Sequence, residues 1–316
     1  MSVFITGITG FIGSELGRRI IEEGFEVYGF VRHTSKRDLK PIEDYLEKIR
    51  IIQGDLRDYS SIRRAIRDAM PQFILHLGAM TPVRISFEDP FSNLETNLLG
   101  TCSLVHAVLE VAPRLERFIL GSTMEVYGWQ QKKEPFGEEL PLNPASPYAV
   151  SKAAADMYVR MAGDVFNLNY TVLRPANTYG RKHETGFIVE YLITSMMRGG
   201  PVYVGTPDSV RDLLYIEDHV NAYLESLKSD HAHKQVFNVC SGAGISMREL
   251  ADNVAKKMGY DGPIMHSYPP GYPRRPAHAD APYLVMDNSK IRQVVGWSPK
   301  YSLDEGLDKT IQYWCS

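Results

Sequence analysis

The 316-residue sequence predicts an α/β fold, a doubly wound parallel sheet carrying a smaller C-terminal cap. Three observations predict it. Short apolar runs alternate with helical patterns through the first half, as strands covered on both faces by helices require. A glycine-rich stretch, Gly7-Ile-Thr-Gly10-Phe-Ile-Gly13, joins the first apolar run to the first helical pattern. After Pro175 the texture changes to a segment rich in glycine, proline and aromatic residues, which marks the start of the cap.

The elements follow in order. Ser2–Thr6 reads as the first strand, and a helix runs from the glycine turn to about Glu23. Glu26–Val31 and Ile49–Gln53 are the next strands, and Asp58 is placed to cap a helix reaching about Met70. Residues 73–77, 117–121 and 170–173 are further buried strands, with a helix near 96–110. Right-handed crossovers then wind the sheet in both directions. Residues 236–239 read as a strand returning to the sheet, and Ser246-Met-Arg-Glu249 as a capping box. Four prolines and a glycine in residues 268–276 exclude regular structure there, and Ser302-Leu-Asp-Glu305 caps a last helix. The expected division is a Rossmann domain over 1–175 with a returning strand near 212–240, and a substrate-binding cap over 176–211 and 241–316.

Composition narrows the function classes. Hydrophobic residues are 44% and charged residues 23% of the chain, an ordinary globular mixture. A net charge of -3 gives no field that draws nucleic acid or an anionic membrane, and neither is an expected partner. Cys102, Cys240 and Cys315 are odd in number and lack zinc-ligand spacing, so no metal site is expected. The N-terminal residues lack the features of a secretion signal, and no apolar run nears the ~20 residues that span a bilayer. The expected location is the cytoplasm.

The glycine turn points to a dinucleotide. Glycines let the backbone turn tightly and approach a pyrophosphate, and the helix N-terminus offers free N–H groups and partial positive charge. Gly7, Thr9, Gly10, Phe11, Ile12 and Gly13 are therefore cofactor candidates. NAD readers usually carry a carboxylate near the end of the second strand. Here that strand runs into Val31-Arg32-His33-Thr34-Ser35-Lys36, with no acid and with Arg32 where a 2′-phosphate would lie. A guanidinium flanked by hydroxyls suits a phosphate, which favours NADP, with NAD as the other choice. Asp55 and Leu56 follow the third strand, where the Asp either takes the adenine amino group or caps a helix. Leu77, Gly78 and Ala79 follow His76 at the fourth strand end and let the cofactor lie close to the backbone; His76 itself reads as a packed, hydrogen-bonded residue. Pro175 completes the set.

The reacting groups come next. Tyr148 and Lys152 stand four apart, on one face of a helix. A tyrosine is a poor base at neutral pH, but a lysine ammonium and an oxidised nicotinamide favour its anion. Thr123, in Gly121-Ser-Thr123-Met124-Glu125, is placed to share a hydrogen bond with the substrate oxygen and the phenol.

At this point the motifs carry a family resemblance. TGITGFIG, GDLRD, HLGA, GSTMEVYG, SPYAVSK, LRPANTYGR, VRDLLYIED and FNVCSG occur in the order seen in the extended short-chain dehydrogenases. That superfamily includes nucleotide-sugar epimerases, 4,6-dehydratases, decarboxylases and ketoreductases. The resemblance covers almost the whole chain and implies transient oxidation of a nucleotide-diphosphate sugar, usually at C4. It implies that Asn97 supports the active-site helix and that Asn177 touches the substrate diphosphate. It also implies that Arg211 and one of Arg274 and Arg275, with Arg275 the expected one, grip phosphates. Thr81 joins these as a substrate candidate. The stretch GFVRHTS resembles the 2′-phosphate loop of GDP-mannose 4,6-dehydratase. The superfamily's four-helix interface implies a homodimer through the helices near 96–110 and 148–162.

Two departures bear on the reaction. The stretch from Arg275 to Asp287 is about two residues longer than the usual pattern. Also, dTDP-glucose 4,6-dehydratases carry Thr-Asp-Glu where this chain has Thr123-Met124-Glu125. A thioether cannot protonate a leaving hydroxyl, although Glu125 could serve as a C5 base. The segment from Pro175 to Gly180 looks more like epimerases than like the asparagine–histidine stretch of GDP-mannose dehydratases. The reading is therefore an NADP-dependent 4-epimerase. The alternatives are a 4,6-dehydratase, a 4-ketoreductase and, remotely, a non-catalytic nucleotide sensor.

Overall fold

The computed structural model describes residues 1–272 and 276–316. In the first strand, β1 (Ser2–Thr6), Val3 and Ile5 join one apolar core and Phe4 a second, all three fully buried. Side chains alternate across a strand, so a sheet with a core on each face needs an unbroken apolar run. The other strands are β2 (Glu26–Val31), β3 (Ile49–Gln53), β4 (Phe73–His76), β5 (Arg117–Gly121), β6 (Tyr170–Pro175), β7 (Asn177–Tyr179), β8 (Val202–Tyr203), β9 (Val210–Tyr215), β10 (Gln235–Val239), β11 (Gly244–Ser246), β12 (Ile264–Met265) and β13 (Tyr283–Leu284). Seven of them form one sheet in the order β10-β6-β5-β4-β1-β2-β3, parallel throughout. The strand order reverses between β1 and β4, and such a switch point opens a crevice beyond the strands' carboxyl ends.

Helices Phe11–Glu22 and Ile216–Lys228 pack together on one face. Tyr59–Ala69, Gly100–Val111 and Pro147–Val165 cover the other. Asp58 caps its helix by accepting the Ser60 N–H at 3.0 Å. Ser246 and Ser302 both close capping boxes, with Glu249 and Glu305. Leu192, Ile193, Val202, Leu250 and Leu307 belong to a third core, built from the C-terminal elements.

The structure adds detail to three stretches read from the sequence. The helix expected near 96–110 begins as a π-helical turn, Leu94–Leu99, and becomes α-helical only at Gly100–Val111. The returning strand expected at 236–239 is β10, which joins the main sheet beside β6. β9 pairs with β7, β11 and β13 in a smaller sheet, a placement an apolar run does not reveal. The stretch after Asn177 also contains a regular helix, Ile188–Met197. Among the described residues no cluster suited to a metal ion occurs, and no helix is long and apolar enough to cross a membrane.

Candidate active site

The turn after β1 is shaped by contacts that leave no room for a side chain. Gly7 has φ +73°, and a Cβ there would lie 2.7 Å from the Gly78 nitrogen. A Cβ on Gly13 would lie 2.1 Å from the Gly7 carbonyl oxygen. Gly10 caps the helix Phe11–Glu22 without a side-chain hydrogen bond, so the first-turn N–H groups have no side chain competing for them. A bare helix N-terminus behind a cradle that a Cβ would fill fits a pyrophosphate.

From this turn a cleft of about 1220 Å³ extends to the cap. Its walls include Gly7, Thr9, Gly10, Phe11, Ile12, Gly13 and Arg32 from the first two strand–helix units, then Asp55, Leu56, Leu77, Gly78 and Ala79. Beyond these come Thr81, Thr123, Glu125, Tyr148, Lys152, Pro175, Asn177 and Arg211. The sequence-derived set thus meets in one cavity, except Arg274 and Arg275, which lie outside the described residues.

Ser146 caps the helix Pro147–Val165, with Pro147 at its first position, and this sets Tyr148 and Lys152 on its first turns. Thr123 and Tyr148 stand together on the wall of the cleft. Burial raises the Tyr148 phenol to about 12; the Thr123 hydroxyl opposes the rise and the Glu125 carboxylate adds to it. Burial also lowers Lys152 to about 8, with Asp156 opposing. The Lys152 ammonium donates to the Gly121 carbonyl. Among the chain's own groups desolvation outweighs the Thr123 hydroxyl, so the phenol stands high before any cofactor charge is brought to it.

Other assignments resolve individually. His76 is buried between two hydroxyls, Nδ1 2.7 Å from Thr6 Oγ1 and Nε2 2.9 Å from Thr101 Oγ1. Asn97, on the π-turn, binds the Met80 N–H at 2.7 Å and the Ser151 hydroxyl at 2.9 Å. It thereby ties the fourth-strand loop to the tyrosine helix. Asp55 spends both carboxylate oxygens on Arg57, at 3.1 and 2.7 Å, which holds it down near 2. Arg32 is exposed on the wall of the cleft. Met124 is fully buried in the apolar core, whereas its neighbours Thr123 and Glu125 line the cleft.

Arg181, His219 and Tyr223 are among the wall residues that sequence reasoning missed. Arg181 sits between Phe11 and Phe187. His219 and Tyr223 stack on each other at 5.4 Å from one face of the helix Ile216–Lys228. Their i,i+4 spacing was the available signal, but on an apolar face it reads as packing.

Residues 4–310 match the family described as GDP-mannose 4,6 dehydratase. A UDP-glucose 4-epimerase of Mycolicibacterium smegmatis is 30% identical, with 99% of this chain and 98% of that one covered. The crystal structure of a UDP-glucose 4-epimerase from Thermotoga maritima with UDP-glucose superposes with a TM-score of 0.88 at 29% identity, covering 100% and 99% of the two chains. A dTDP-glucose 4,6-dehydratase from Streptomyces venezuelae, with NAD bound, gives a TM-score of 0.87 at 26% identity, covering 100% and 97%.

Proposed function

The chain belongs to the GDP-mannose 4,6 dehydratase family, and on that premise we propose that it is a nucleotide-sugar 4-epimerase that prefers NADP. It is an enzyme of the nucleotide-sugar epimerase and dehydratase group, working with a nicotinamide dinucleotide. The observation that favours epimerisation is the orientation at 123–125. Thr123 and Glu125 face the cleft while Met124 faces the core, so position 124 gives the cleft no acid for a leaving hydroxyl.

In this reading the bound cofactor supplies the hydride acceptor and, when oxidised, a positive charge. Tyr148 takes the proton of the sugar C4 hydroxyl as hydride leaves that carbon, with Thr123 holding the same oxygen. Lys152, fixed on Gly121, keeps a cation near the reacting end of Tyr148. Hydride returned to the other face of the 4-keto sugar, with the proton returned by Tyr148, completes epimerisation. Gly7, Gly10 and Gly13 hold the cofactor pyrophosphate, and Arg32 reads its 2′-phosphate. The cap over 176–211 and 241–316 supplies the substrate side, with Asn177, Arg211 and Arg275 on the diphosphate and Thr81 on the sugar side.

Glu125 supports a second reading, a 4,6-dehydratase with this carboxylate as C5 base. Turnover in deuterium oxide separates them. Epimerisation returns its own hydride, so the product carries no deuterium on carbon. Dehydration loses one water and gains deuterium at C5. A product with deuterium at C5 overturns the epimerase, and Glu125→Gln should then abolish turnover.

A further inference from the structure

The loop after β7 crosses between the two sides of the cleft, and its ends are tied down. Gly180 and Arg181 donate their N–H groups to Glu190 Oε1 at 2.8 and 2.9 Å. Trp314 and Tyr313 hold the carbonyls of Arg181 and Lys182, each at 3.0 Å. Lys182 pairs with Glu15, on the helix that opens at the glycine turn. The Arg181 guanidinium lies 4.4 Å from the ring centre of Phe11 and 3.5 Å from that of Phe187. Phe11 belongs to the dinucleotide turn, and Phe187 caps the helix Ile188–Met197 of the other side.

A cation between two rings is held by their faces, but burial still costs a charge most of its hydration. The Arg181 side chain is only 11% exposed and forms ion pairs with Glu184 and Glu190, each at 3.7 Å. Nη1 donates to the Thr178 carbonyl, while Nε has no hydrogen-bond partner among the described residues. Arg181 thus lines the cleft beside Phe11 and Ile12, next to the glycine cradle that fits a pyrophosphate.

We propose that Arg181 is a positioning residue that holds the loop from Arg181 to Phe187 over the diphosphate of the bound dinucleotide and slows the cofactor's release. This rests on the dinucleotide reading of the glycine turn. An epimerase returns hydride to the sugar it came from, so its cofactor need not leave between turnovers, and a strap across the dinucleotide does not hinder the cycle.

The test is the dissociation rate of the reduced dinucleotide from the full-length protein, followed by its fluorescence, in wild type, Arg181→Met and Arg181→Met/Glu190→Gln. The double variant removes both buried charges at similar volume. Release should be at least tenfold faster in both, with the Kd for free UDP, the probe of the substrate side, changed less than twofold. Unchanged release in either variant overturns the proposal; rescue in the double variant would trace the effect to an unpaired Glu190. A loss falling on UDP binding with release unaltered overturns it too. A wild type that binds no nicotinamide dinucleotide would instead defeat the functional reading.

Discussion

Tyr148 is held as a neutral phenol by its own burial, so its use as a base depends on charges brought to it. Removing only its hydroxyl separates chemistry from packing. Tyr148→Phe should keep substrate binding and lose ~10²–10⁴-fold in kcat, the usual scale of a general base. Retention of more than about a tenth of wild-type kcat would remove Tyr148 from the mechanism. Arg32 is decided at the same scale. It is exposed at the end of β2, where no carboxylate stands to bind a ribose 2′-hydroxyl. Arg32→Glu should weaken NADP binding far more than NAD binding, as read by titration with each dinucleotide. A wild type that binds NAD more tightly than NADP would reverse the preference assigned here.

Among the elements, legibility followed locality. The glycine turn, the buried strands and the helices capped by Asp58, Ser246 and Ser302 were readable because apolar runs, caps and glycine spacing are encoded within a few residues. The π-turn Leu94–Leu99 was not, since its register answers to Met80 and Ser151, far away in sequence. The placement of β9, the inward turn of Met124 and the Arg181 sandwich are likewise products of tertiary pairing. So is the rise at Tyr148, which comes from desolvation by the folded chain. The helices Gly100–Val111 and Pro147–Val165 bear on assembly. They pack together, and the second exposes Val150, Met157 and Val165 along its length. An apolar row left in water would suit a second copy of the chain. Sedimentation at micromolar concentration should show a homodimer, and Met157→Glu should shift it toward monomer. A wild type that sediments as a monomer contradicts the assignment.

For the molecule as a whole, buried titratable groups set how folding responds to acid. His76 and His219 are both pushed down to about 3, by burial first and then by Lys152 and Arg181 respectively. Unfolded, each would titrate near ~6.5. Between those values the unfolded chain binds protons that the folded chain refuses, so stability rises with pH there. The contribution is complete above about 6.5 and is lost as pH falls from 6.5 toward 3. Asp212 works the other way: burial raises it to about 6, so it favours the folded chain increasingly as pH falls through that value. A single-residue difference isolates the histidine effect from such opposing groups. His219 is the better choice, since its Nδ1 meets Thr178 Oγ1 at 2.8 Å while its Nε2 has no hydrogen-bond partner among the described residues. His219→Gln keeps a polar group in reach of Thr178 and removes the titration. Between pH 7 and pH 5 the wild type should lose about 2 kcal/mol more unfolding free energy than this variant, measured by urea denaturation at each pH. An equal loss in the two proteins would mean that His219 takes up its proton within the folded chain, against the burial that places it on the wall of the cleft.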